Sequence, residues 1–219
     1  MNKLVSLSVV ITARHFNPSV MSQAWLIRQG FVAEEEILPN FVFSDALVQV
    51  RTDRFALLVI PEQFQFFPMV EESEQQKLIQ DKVGRIVNNL PHTPFRAVGL
   101  NFNWHIIPNR CSVSRLSRLA FGQARNPLYK YFQEENAQFG AYMSKDFYEC
   151  RLKLDIKPLT NQETKEQLLQ FGFNFHTDLR ENEALVTQIE SILSRWTDAS
   201  LLANEIVTSF EELEHECLD

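Results

Sequence analysis

The sequence predicts an α+β protein, with a ferredoxin-like βαββαβ unit followed by an antiparallel strand meander covered by two helices. Three observations predict it. The first is strict alternation over Phe95–Ile106, where Val98, Leu100, Phe102, Trp104 and Ile106 share one parity and Ala97, Gly99, Asn101, Asn103 and His105 the other. Side chains alternate across a strand, so this one has an apolar face and a small, polar face. The second is an echo at 171–178, with Phe171, Phe173 and Phe175 set against Gly172, Asn174, His176 and Asp178. The third is the order of periodicities up to residue 106, which reads strand, helix, strand, strand, helix, strand.

The elements follow in order. Over 4–13, Val5, Leu7, Val9 and Ile11 fall on one parity and Ser6, Ser8 and Thr12 on the other. A leader peptide also starts with an apolar run, but the alternation and the lack of a small-x-small site before Arg14 favour a strand. Asn17 is placed to cap a helix and Pro18 suits its first position. Val20, Trp25, Leu26 and Ile27 would form the buried stripe, with Gly30 as the stop. Glu34–Glu36 reads as an exposed turn. Two strand-like runs, 40–51 and 54–67, joined by Thr52 and Asp53, predict a hairpin. Pro61 has no N–H to donate, so the second run is interrupted there or lies at an edge. Ser73 with Gln76 three residues on marks a helix start, and Leu78, Ile79, Val83, Ile86, Val87 and Leu90 keep helical spacing up to Pro91. Right-handed crossovers would put both helices on one face of a four-stranded sheet and turn Asn101, Asn103 and His105 away from them.

Residues 107–135 change character: Arg110, Arg115, Arg118, Arg125 and Lys130 occur with no acidic residue until Glu134. Short helical turns are expected at 114–121 and 127–133. Strands resume at 139–144, 147–156 and 166–178. Two helices then close the chain, one striped by Leu185, Ile189, Ile192, Leu193 and Trp196, the other by Leu201, Leu202, Ile206, Phe210 and Leu213. Thr197 and Asp198 mark the break, and the acidic tail from Glu211 is expected to fray. The segments are thus 1–108 (ferredoxin-like unit), 109–136 (basic connector) and 137–219 (meander with helices), with a single continuous domain as the alternative. The echo suggests a degenerate duplication.

Composition narrows the function classes. A hydrophobic share of 45% and a charged share of 22% are those of a globular chain. Phe outnumbers Tyr by 18 to 4, which points to packing, since Phe needs no polar partner for its tip. A net charge of −7 argues against non-specific nucleic-acid binding by the whole molecule and leaves only the basic connector for it. No apolar run approaches the ~20 residues of a membrane helix. Cys111, Cys150 and Cys217 are too few and too scattered for a disulfide framework or a zinc site, so reduced thiols in a cytoplasmic protein are expected.

Catalytic signatures are absent: there is no GxSxG elbow, Walker A loop, GxGxxG fingerprint or HExxH helix. Asp155 and Lys157, with Glu149 and Asp146 before them, have the make-up of a metal-dependent nuclease strand and equally of a charged, solvated one. No catalytic residue, metal or cofactor is assigned. Two surfaces remain. If the echo strands lie together, Asn101, Asn103, His105, Asn174, His176 and Asp178 converge, offering donors and acceptors to a polar ligand or a peptide backbone. Arg110, Arg115, Arg118, Arg125 and Lys130, near Tyr129, Tyr131 and Phe132, could hold an acidic partner or phosphates. The expectation is a non-enzymatic interaction protein, a subunit or accessory factor that binds a protein partner or its own copies. The alternatives are a sensor of small polar ligands and a nucleic-acid-binding factor or nuclease.

Overall fold

The computed structural model describes residues 2–180 and 184–218. The first half runs through β1 (Asn2–Ala13), α1 (Gln23–Arg28), β2 (Val42–Phe43), β3 (Val48–Arg51), β4 (Phe55–Ile60), β5 (Gln63–Pro68) and α2 (Glu72–Asn89). The second comprises β6 (Phe95–Ile106), α3 (Val113–Phe121), β7 (Ala141–Phe147), β8 (Cys150–Thr160), β9 (Gln167–Asp178), α4 (Leu185–Leu193) and α5 (Trp196–Glu212). The strands form one nine-stranded sheet in the order β2-β3-β4-β5-β1-β6-β9-β8-β7. All its pairings are antiparallel.

Leaving β2 aside, this order is palindromic about the β1–β6 seam. Each half is a strand, a short helix, a three-strand meander and a helical cover. The short helices match in detail. Ser22 caps α1 by accepting from Trp25 N at 3.3 Å, and Ser112 caps α3 by accepting from Arg115 N at 3.1 Å. Each ends at a glycine, Gly30 at φ +65°, which needs no Cβ there, and Gly122.

The core lies on one side of the sheet. Ile11, Leu57, Phe66, Leu100, Phe102, Leu154, Phe171, Phe173 and Phe175 are buried beneath the helices. Trp196 on α5 packs on Phe102 with ring centroids 4.7 Å apart, and Phe210 on Phe171 at 4.8 Å. The Trp196 indole would be costly to bury unpaired; its Nε1 donates to Gln75 Oε1 on α2 at 3.0 Å. That bond ties the two helical covers together across the seam.

The structure departs from several expectations. Of the ferredoxin-like unit expected over 1–108, the structure shows a mixed helix and antiparallel-sheet unit in which β4, β5, β1 and β6 lie side by side, with β3 and β2 added beyond β4. In it β1 lies between β5 and β6 and is antiparallel to both. The first predicted long run is broken at 44–47, and the second is interrupted at Pro61 as its missing N–H led us to expect, so one hairpin becomes a four-strand meander. Asn17 precedes only a 3₁₀ turn, Pro18–Val20, without side-chain capping. Helix α2 starts at Glu72, ahead of the predicted Ser73 cap. A register shift between Leu4 and Ser6 turns Val5 out, leaving it 39% exposed. No helix of the described residues is long and apolar enough to cross a membrane.

The thiols and the tail also differ. Cys111 and Cys217 form a disulfide, with Cα atoms 6.0 Å apart, while Cys150 is free and buried. Topology makes the bridge: 106 residues separate the two, yet the loop after β6 and the C-terminal 3₁₀ segment Leu213–Leu218 lie together. Adjacent residues add to it, with Asn109 N donating to the buried Glu214 Oε1 at 3.3 Å and Arg110 Nη1 to His215 Nδ1 at 2.7 Å. The tail is therefore clamped rather than frayed. In thiol titration without reductant, the native protein will show no fast-reacting thiol and the unfolded protein one, rising to three after reduction. Reduction should lower unfolding stability by about 2–4 kcal/mol in urea titrations.

Candidate functional site

With the helices on one side, the other side of the sheet is its open face, and register decides which side chains meet there. One row reads Ser8, Asn101, Asn174, Lys153, Ser144 across β1, β6, β9, β8 and β7. The next reads Ser6, Asn103, Gly172, Asp155, Tyr142. On the other flank, Val10 continues to Gln65 and Leu58 on β5 and β4. The face is thus amide-rich in the middle, half apolar towards β4 and charged along β8.

The recurring Gly and Asn acquire a physical reason. Asn101 and Asn174 oppose one another, and Asn174 Nδ2 donates to Asn101 Oδ1 at 2.6 Å. About this pair the two strands are related by a local twofold, which sets Gly99 opposite His176 and Gly172 opposite Asn103. A Cβ on Gly99 would sit 3.2 Å from Asn174 Nδ2, and one on Gly172 3.3 Å from Asn103 Oδ1. The glycines leave room for the amides to lie across the strands. Asn103 is fixed from both sides, donating to Ser6 Oγ at 3.0 Å and accepting from Gln170 Nε2 at 3.4 Å.

The predicted residues Asn101, Asn103, His105, Asn174, His176 and Asp178 all lie on β6 and β9, which pair directly. His176 Nε2 is 3.2 Å from Asp178 Oδ1. Burial, and then the nearby Lys3 ammonium, hold the His105 imidazole below its ordinary pKa. Sequence reasoning left Ser8, Thr12, Gln63 and Gln170 out of the set, yet they share a groove of about 520 Å³ with Asn101, Asn103 and Asn174. The serine and threonine parity on β1 was a usable signal. Gln63 was hidden by the reading of β4 and β5 as one strand.

A second depression, of about 710 Å³, lies where β8 begins and β9 ends, against α4, with His176 in its wall as well. Cys150 lines it, but burial pushes its thiol pKa up, which suppresses the nucleophilic thiolate. Asp155 is paired with Lys157 at 3.1 Å and Asp146 with Arg151 at 2.7 Å. No group of three His, Cys, Asp or Glu that could hold a metal ion occurs among the described residues.

The cations of the connector are divided in their tasks. Arg118 is turned into it, bonding Tyr129 Oη at 3.1 Å and the carbonyls of Phe132 and Glu134, with its guanidinium 5.2 Å from the Phe139 ring centroid. Arg110 serves the C-terminal clamp. Arg115, Arg125 and Lys130 are exposed.

Two measurements check these assignments. Because folding depresses His105, the unfolded chain takes up its proton first, and stability falls as pH drops through the ordinary imidazole range. Urea midpoints between about pH 7.5 and about pH 5.5 should fall further for the wild type than for His105→Gln. Arg118→Ala should cost about 2 kcal/mol and open 122–140 to limited proteolysis.

No protein-family model, curated protein or solved structure matches the chain, so its function is read from its own geometry.

Proposed function

We propose that this is a non-catalytic interaction protein, a subunit or accessory factor, that receives a protein partner on the open face of its sheet. One observation carries the reading. The middle of that face is a field of neutral amides and hydroxyls in a groove spanning β5, β1, β6, β9 and β8. Neutral donors and acceptors cost far less to desolvate than charges, and they match the peptide groups of an extended chain. The half-buried Val10 and Leu58 on one flank and Arg151 and Lys153 on the other give the mixture of apolar and polar contacts typical of protein interfaces. Exposed Arg115, Arg125 and Lys130 supply a secondary contact for an acidic region of the partner.

A second reading, recognition of a small polar ligand, is favoured by His176, which stands in the walls of both large depressions.

Affinity capture followed by titration with the recovered partner tests the first reading. A double variant, Asn101→Lys with Asn174→Lys, crowds the amide field and should weaken binding at least about tenfold. Leu201→Ser, on the exposed side of α5, should leave binding unchanged. Equal binding by both variants, each folded by circular dichroism, rejects the sheet-face reading.

A further inference from the structure

The two connectors that follow the short helices α1 and α3 use their chain differently. In the first half, the segment from 29 to 47 contains β2, which pairs with β3. In the second, the segment from 122 to 140, all of it among the described residues, forms no strand and only one 3₁₀ turn, Tyr129–Tyr131. It is nevertheless held in one shape. Arg118 bonds Tyr129 Oη and the carbonyls of Phe132 and Glu134, Asn126 Oδ1 accepts from Leu128 N at 2.9 Å, and Phe139 N donates to Ser117 Oγ at 3.1 Å. A long strandless connector fixed in this way is the usual setting of a binding loop. Phe121, Leu128, Tyr129, Phe132 and Phe139 wall a depression in it of about 200 Å³, with Gln123 and Gln138 also in its lining. The rings brace one another: Phe121 is stacked on Phe210 and Tyr129 on Phe139, and Phe132 meets Phe139 edge-on.

We propose that this depression docks an acidic peptide segment of a partner protein, which seats one bulky apolar side chain among the rings. The proposal rests on the reading of the chain as an interaction protein, but not on its amide face. The volume suits a single large side chain, and charge complementarity sets what flanks it. Arg125 lies between Gln123 and Asn126, which both line the depression, and Lys130 follows Tyr129. Neither cation belongs to an ion pair among the described residues, although Glu134 and Glu135 close the segment and Glu211 and Glu212 follow Phe210. Both therefore remain open to carboxylates on either side of the anchor. The Gln123 and Gln138 side-chain amides make no hydrogen bond among the described residues, so they can bond the main chain of the peptide. The chain's own acidic tail is not the occupant, because the bridge from Cys111 to Cys217 holds it and Glu214 Oε1 accepts from Asn109 N. A nucleic acid fits less well. The ring faces on which bases would stack lie against other rings, and a net charge of −7 opposes a polyanion.

Selection of a random-sequence peptide display library on the full chain tests this. The enriched peptides should share one Leu, Ile, Met, Phe or Trp flanked by Asp or Glu. In anisotropy titrations of the most enriched peptide, alanine at its apolar position should weaken binding by at least about tenfold. Arg125→Glu with Lys130→Glu should weaken it by about tenfold, and lysines in place of the peptide's acidic residues should restore binding to that variant. Leu128→Asp, at a side chain 61% exposed and so free to change without unfolding the chain, should weaken it as well. A selection that enriches nothing, or that enriches peptides without an acid-flanked apolar residue, overturns the proposal. So does equal binding by the charge-reversed variant, folded by circular dichroism, or tighter binding of a single-stranded oligonucleotide than of the peptide at physiological salt. The Asn101→Lys and Asn174→Lys variant should bind the peptide as the wild type does, which separates failure here from failure of the sheet-face reading.

Discussion

The pairing of β1 with β6 joins the two halves of the sheet, and the rest of the molecule depends on it. These two strands of twelve residues run antiparallel from Asn2 opposite Ile106 to Ala13 opposite Phe95. Each brings its own meander, so the seam turns a five-strand unit and a four-strand unit into a continuous sheet. It also sets Val9 and Ile11 against Leu100 and Val98 over the core side and, by the same register, Ser8 against Asn101 on the open side. A slip of one residue along the seam would send the apolar set to water and the amides inward, so hydrophobic burial specifies the open face as firmly as it does the core.

The open face is built with unusual economy of charge at its centre. Asn103, Asn174 and Gln170 spend part of their hydrogen-bonding capacity on one another and on Asn101 and Ser6. This fixes their orientation, while each amide keeps further donor or acceptor capacity. Two glycines make the arrangement feasible, since a strand residue with a Cβ at either place would press on a neighbouring amide. Glycine weakens a strand, and its use twice in the most central region trades local stability for the geometry of the face.

Outside the sheet, the second half is held by local devices where the first uses packing. Arg118 supplies the connector with donors that its irregular backbone would otherwise lack. The clamp formed by Cys111, Arg110 and Asn109 on Cys217, His215 and Glu214 fixes the end of the chain against the loop that leads into α3. Both devices join residues far apart in sequence or in irregular structure, where no periodicity announces them. The charge run through 110–130 is visible in the sequence, but the division of labour between Arg118 and Arg125 is not.

The sequence by itself determined the strands and helices with strong periodicity. Phe95–Ile106 is pleated with most of its greasy parity buried, and the strand at 171–178 likewise. Two C-terminal helices form, although the break falls before Trp196 rather than at Thr197 and Asp198, and Leu201 of the expected stripe is exposed. Alternation is a local property, and burial of one parity is enough to express it. Tertiary structure alone decided that the echo marks neighbouring strands rather than the repeat unit, that the true repeat is traced by Ser22 with Ser112 and Gly30 with Gly122, and that two distant cysteines meet. Strand order, edge exposure and disulfide pairing are set by contacts between residues remote along the chain. Their energies come from how whole layers pack, which no local pattern of residues encodes.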